Sequence, residues 1–353
     1  MNDKKTPRRQ FTKQLALGSL LVPTILYAQN KSGSGAVIVG DGEHTYECLH
    51  DWGLDSLPAQ HQYGWTSNGV ALDSMGQLYV SHHGAPGSIF VFDQAGRFVR
   101  ELASQHRVKE EAAGHGIDIR TEDDGEFLYL SPDHASMAFT KMTLGGEIVW
   151  QKGKSDLEKD SGLKLSRYRP TNSSFRPDGG YYLGDGYGSS YVFEYDKHDS
   201  FVRAMGGLGN QDGKFNTPHG QWLDDRDGTP KLVVADRANQ RLQWFAMDGT
   251  HLKSVGGFVK PADIDVQGDW LIVADIGASV TVLNKDNEIV AKLGHDDEWE
   301  KRVMDRKQNL RGKRPEWVAG LFVHPHDACF DRDGNIFVSE YVAGGRVTKL
   351  RKV

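Results

Sequence analysis

Cysteine is almost absent from this 353-residue chain: Cys48 and Cys329 are the only two, and no C-x-x-C pair or zinc-knuckle spacing occurs, which excludes zinc ribbons and disulfide-built scaffolds. Proline is scarce at 12 residues, which excludes collagen-like and proline-rich architectures. An excess of positive charge is missing too, with 42 Lys and Arg against 48 Asp and Glu. No basic stripe interleaved with aromatics remains to bind nucleic acid or an anionic membrane, so neither is expected as a partner. No apolar run is long enough to cross a bilayer, which excludes a polytopic membrane protein. A nucleophile elbow, a P-loop and a dinucleotide fingerprint are also lacking; GGLGNQDG at 206–213 reads as a turn before a strand.

What is abundant is glycine, at 41 residues, together with 10% aromatics. Many tight turns joining segments that bury large side chains point to β structure. Residues 1–28 stand apart. A paired-arginine region around Arg8 and Arg9 precedes an apolar run at 15–26, which resembles a twin-arginine export signal cleaved after Ala28. The expected organisation is a signal at 1–28, a linker at 29–44 and one domain at 45–353, exported to the periplasm or secreted. Removing the signal takes away five of the 42 basic residues and one of the 48 acidic ones, leaving a net charge near −10. In an oxidising compartment Cys48 and Cys329 could pair and tie the chain ends; two free thiols is the other reading.

A pattern recurs six times, starting at Asn68, His115, Thr171, His219, Ala262 and His326, at spacings of 47, 56, 48, 43 and 64 residues. Each unit has a first strand, a turn of D-G or D-x-x-G type, an apolar second strand ending near an acid, and further strands. A period near 45 of this kind predicts an all-β, six-bladed propeller. Two insertions interrupt it: a charged excursion at 152–169, and a segment at 296–311 read as a helix between blades five and six.

In a propeller the first strand of each blade lines the central channel, so residues at one repeat phase form a ring. That ring reads Asn, His, Thr, His, Ala, His. His115, His219 and His326 fall on alternate blades, roughly 120° apart, as a three-histidine metal site with an open position requires. The plainer alternative is that each is a channel-lining imidazole bonded to water or a neighbouring carbonyl.

At these residues the chain resembles peptidylamidoglycolate lyase, the lyase half of peptidylglycine alpha-amidating monooxygenase, a six-bladed propeller of NHL-type repeats. The resemblance rests on VALDSMGQLYVSHHG at 70–84, HGID at 115–118, GDGYGSS at 184–190, TPHG at 217–220, VADRANQRLQWF at 234–245 and PHDACFDRDGNIFVSE at 325–340. It implies zinc held by His115, His219 and His326, Tyr187 and Arg237 in the active site, and a structural calcium held by Val70, Ile117 and Asp327. It also places His83 where the family has an arginine, and His324 where the family has a methionine. His83 is therefore expected among the catalytic residues with Tyr187 and Arg237, and His324 and His82 as further imidazoles beside the channel. The implied reaction is cleavage of an α-hydroxyglycine-type amide to an amide and glyoxylate, on a small-molecule or peptide-amide substrate, by a monomer. A calcium-dependent lactone hydrolase and a non-enzymatic NHL-repeat binding propeller are the competing readings.

Overall fold

The computed structural model describes residues 35–108, 111–133 and 138–353. The expected signal at 1–28 lies outside the described residues, as does the linker up to residue 34. Among the described residues no helix is long and apolar enough to cross a membrane.

Six antiparallel sheets make the six blades of a propeller. The first strands of the blades are Ser67–Leu72, Gly116–Glu122, Ser173–Phe175, Pro218–Asp224, Pro261–Gln267 and Pro325–Phe330. Each is followed by its second strand across a tight turn. In blades one and six that turn is D-x-x-G: Asp73 Oδ1 accepts the N–H groups of Met75 and Gln77, and Asp331 Oδ1 those of Asp333 and Asn335. The closing Gly76 and Gly334 take φ of +74° and +79°, a conformation that a side chain would strain.

Second strands such as Leu78–His82 and Ile336–Glu340 are buried along their whole length, because a neighbouring blade covers each face. The fourth strands alternate instead, with Val149 and Leu252 exposed on Ile148–Lys152 and His251–Val255. The cores lie between blades. Val233, Trp244, Ile264 and Val273 bring blades four and five together, each large side chain contributing about 1.5–3 kcal/mol.

The ring closes in a way that the repeat does not reveal. Tyr46–Leu49 joins the last blade as its fourth strand, pairing with Arg346–Lys352, and Ile38–Val39, inside the expected linker, adds a fifth. Cys48 and Cys329 therefore share one sheet but stand three strands apart, about 14 Å at ~4.8 Å per strand. That is beyond disulfide reach, and both are free.

The excursion at 152–169 contains a helix, α1 (Lys154–Ser161), whose Leu157 packs with Leu165 and Tyr168. The insertion between blades five and six contains α2 (Asp297–Met304), capped by Asp296 Oδ1 on the Trp299 N–H at 2.7 Å. Trp299 and Val303 face inward, and the indole N–H donates to the Phe322 carbonyl.

A second repeated device sets the inner rim. The second strands of blades four to six end at Asp236, Asp275 and Glu340, and that of blade three is followed directly by Asp185, none of the four more than 1% exposed. Each carboxylate turns into its blade and accepts a backbone N–H from the segment leading into that blade's first strand: Arg169, Asn216, Val259 and Val323 respectively. The acid thereby fixes where the channel-lining residue begins.

Buried histidines give the fold an acid limit. His106 is 2% exposed, its Nε2 is 2.8 Å from Thr140 Oγ1, and burial pulls its pKa down to about 4. Between that value and the ordinary 6.5 the unfolded chain binds the extra proton, so stability is present above pH 6.5 and is lost as pH falls. His106 alone should remove about 2 kcal/mol between pH 7 and pH 5. Denaturant unfolding at the two pH values should show a pH penalty smaller by that amount in His106→Gln; an identical penalty in both proteins would refute this.

Candidate metal centre

His115, His219 and His326 converge, their ligand nitrogens all lying within 4.8 Å of one another. The ring centroids are 4.7–5.0 Å apart and the planes are steeply crossed. Each is at most 4% exposed. The Nδ1 atoms face away from the centre. That of His115 lies 2.9 Å from the Thr171 carbonyl, that of His219 2.8 Å from Ala262, and that of His326 3.2 Å from Asn68. A carbonyl only accepts, so Nδ1 carries the proton and the Nε2 lone pair is left toward the axis. The three carbonyls belong to the three non-histidine positions of the same ring, so every histidine is oriented by the next blade.

The glycine after the ring position makes this possible. A Cβ at Gly116 would overlap the Thr171 carbonyl oxygen, and one at Gly220 would stand 2.6 Å from that of Ala262. Burial holds the imidazoles neutral: the His115 pKa falls to about 4, and those of His219 and His326 fall well below the usual value, burial being the largest cause in each. Three neutral, pre-oriented imidazoles could hold a divalent metal ion, and the nitrogen donor set suits zinc among several.

Tyr187 is at the centre of the site. Its Oη is 2.8 Å from His219 Nε2 and 3.3 Å from His115 Nε2, and Arg237 Nη1 donates to it at 3.1 Å. The ring lies between two guanidinium groups, Arg237 at 4.9 Å and Arg169 at 5.2 Å from its centroid. Burial raises the phenol pKa and Arg237 works against that rise. Asp236 pairs with Arg241 at 2.8 Å, which leaves Arg237 for Tyr187. Arg169 Nε donates to Asp133 Oδ1 at 2.5 Å, a pair with no counterpart in the repeat pattern.

The other expected residues divide. His83 stands 3.9 Å from Asp133 Oδ2 and bears electrostatically on His115 and His326. His324 lines the central cavity with Nδ1 2.9 Å from the Ile276 carbonyl. His82, expected beside the channel, is turned into the blade instead. It is fully buried, 3.8 Å from the Phe90 ring, with Nδ1 accepting the Gly84 N–H. It holds the repeat position of Asp236 and Asp275, whose side chains also point inward. Asn68 was legible only as an amide in the ring. It donates Nδ2 to the Gly114 carbonyl, and its buried Oδ1 has no partner among the described residues.

Further along the same inner strands, Asp118, Asp263 and Asp327 meet at a second cavity of about 270 Å³. Asp327 Oδ2 accepts the Val70 N–H at 3.0 Å, Asn172 Nδ2 donates to Asp263, and Ser173 Oγ donates to Asp118. Burial and mutual repulsion push all three carboxyl pKa values upward, Asp327 to about 7. Buried oxygen donors of this kind fit a hard cation such as calcium. Ile117 itself packs its side chain into the core between blades one and two.

No family model matches the chain. Over 185 residues, 52% of this chain, it is 23% identical to a probable peptidyl-alpha-hydroxyglycine alpha-amidating lyase of Caenorhabditis elegans, and the match spans 49% of that protein. Among solved structures it is similar to a gluconolactonase of Xanthomonas campestris, with a TM-score of 0.61, 14% identity and coverage of 90% of this chain and 95% of that one. It is also similar to virginiamycin B lyase from Staphylococcus aureus, with a TM-score of 0.54, 12% identity and coverage of 87% and 100%. At these identities the structural likeness shows the propeller and not the reaction.

Proposed function

We propose that this protein is a metal-dependent carbon–nitrogen lyase that splits an α-hydroxyglycine-type amide into the amide and glyoxylate. The observation that carries the reading is the contact of Tyr187 Oη with two of the three converging Nε2 atoms while Arg237 donates to the same oxygen. Zinc, when bound, supplies a Lewis acid that lowers the pKa of a hydroxyl presented to it. Tyr187, as the phenolate that Arg237 favours, takes the proton from the substrate hydroxyl. The oxygen lone pair then forms the C=O of glyoxylate as the C–N bond breaks, and the departing amide nitrogen receives the proton. Arg237 holds the phenol oxygen in place and favours its charged form, and the substrate carboxylate lies against the same guanidinium. The 23% identity to an amidating lyase supports this choice of bond.

The test is release of glyoxylate from an N-acyl-α-hydroxyglycine by zinc-loaded protein. Release above the uncatalysed rate, abolished by chelation, is expected; none under any metal would reject the reaction. Export through the twin-arginine route belongs to the same proposal, as does action as a monomer.

Calcium at Asp327, with Val70 and Ile117 supplying backbone oxygens, is proposed as structural. Calcium at roughly a hundred times its dissociation constant would stabilise the fold by about 2.7 kcal/mol. It should raise the unfolding midpoint of chelator-treated protein by about 5 °C. No rise, or an equal rise in Asp327→Asn, would count against this site.

A further inference from the structure

Two of the three histidines, His115 and His326, open with Tyr187 into a cavity of about 710 Å³, far larger than an α-hydroxyglycine unit needs. One wall comes from the insertion between blades five and six, including Val303, Arg306, Leu310 and Arg311. Although the chain as a whole is acidic, five cations and only two acids line this space. One acid, Asp133, is taken by Arg169. The other, Asp305, accepts the Lys307 N–H at 2.9 Å and lies 3.4 Å from Gln308 Nε2. Arg237 is engaged by Tyr187.

That leaves Lys260, Arg306 and Arg311, none of which has a carboxylate ion pair among the described residues. Arg306 and Arg237 both repel the Lys260 ammonium. Asp275, the acid that acts on Lys260, has its oxygens on the N–H groups of Val259, Lys260 and Gly277. Arg311 lies against two aromatic rings, 3.4 Å from the Tyr341 centroid and 4.3 Å from that of Trp65, its Nη2 donates to the Trp65 carbonyl at 3.4 Å, and its buried Nε has no hydrogen-bond partner among the described residues. A guanidinium immobilised in this way, beside two uncompensated cations, is pre-organised for a planar anion.

We infer that Lys260, Arg306 and Arg311 form a second anion subsite, so that the substrate carries a carboxylate on its acyl side in addition to the one beside Arg237. This rests on the lyase reading for the meaning of "acyl side", but the subsite itself does not require catalysis.

The test is therefore made by binding first. Calorimetry on zinc-loaded protein compares glutarate with butyrate at matched ionic strength. Glutarate should bind about tenfold more tightly, and the preference should collapse toward unity in Lys260→Ala/Arg306→Ala. Both side chains are at least partly exposed, and a thermal melt confirms that the double variant is folded. A second arm compares kcat/KM for succinyl- and acetyl-α-hydroxyglycine. If neither is cleaved while the glutarate preference holds and is lost in the double variant, the reaction is wrong and the subsite stands. If both are cleaved equally and glutarate binds no better than butyrate, the reaction stands and the subsite is overturned. A glutarate preference unchanged in the double variant also overturns it.

Discussion

Replacing Tyr187 by phenylalanine is expected to lower kcat by a factor of about 10²–10³ while leaving KM within about threefold and metal content unchanged. The ring itself is retained, so its packing between Arg169 and Arg237 should persist and the site should keep its shape. What disappears is one oxygen, the atom that touches both His219 and His115 and carries the proton in the proposed reaction. Loss of a ground-state contact would raise KM; loss of a proton carrier lowers kcat. A variant with full kcat would remove Tyr187 from the chemistry. An equal drop in metal content would instead make it a structural support for the histidines.

The largest expected loss of stability from a single side chain near the site follows from Asp236→Ala, about 3–4 kcal/mol. Asp236 is fully buried. Its carboxylate accepts from the Asn216 N–H, Asn239, Arg241 and Gln243; without it the Asn216 N–H and Arg241 Nε lose their acceptor, while Asn239 and Gln243 keep only the carbonyls of Gly209 and Lys214. The affected segment leads directly into His219, and the Arg237 N–H is bonded to the Thr217 carbonyl in the same segment. Destabilisation should therefore come with weaker retention of any metal held by the three histidines, although Asp236 touches neither them nor the cavity. Asp236→Asn, which keeps an acceptor, should lose less. Denaturant unfolding of the three proteins checks this; a loss below about 1 kcal/mol in the alanine variant would contradict it.

The six-unit repeat makes the blade count and the channel-facing phase legible, because a propeller maps sequence phase directly onto position around an axis. Hence the three histidines could be placed at one point without coordinates. The same logic, carried one strand further, would have corrected His82. It shares its phase with Asp236, Asp275 and Glu340, all turned into their blades, whereas the next position supplies cavity-lining Arg237, Ile276 and Tyr341. His83 holds that position in blade one.

Contacts outside the repeat were not legible. Closure of the last blade by Tyr46–Leu49 joins segments about 300 residues apart. The Asp133–Arg169 pair links two loops. The cationic wall of Arg306 and Arg311 depends on how an insertion with no repeat partner folds back over the channel. Carbonyl acceptors for the three Nδ1 atoms also leave no side-chain signal, since any residue supplies a carbonyl.

The measurement that tests the central claim most directly is elemental analysis of protein purified without a histidine tag, beside a His115→Ala/His219→Ala variant. About one equivalent of zinc in the wild type, absent from a folded variant, is the result the three-histidine centre predicts. A wild type that holds no divalent metal after zinc loading, or a folded variant that holds as much, would contradict it.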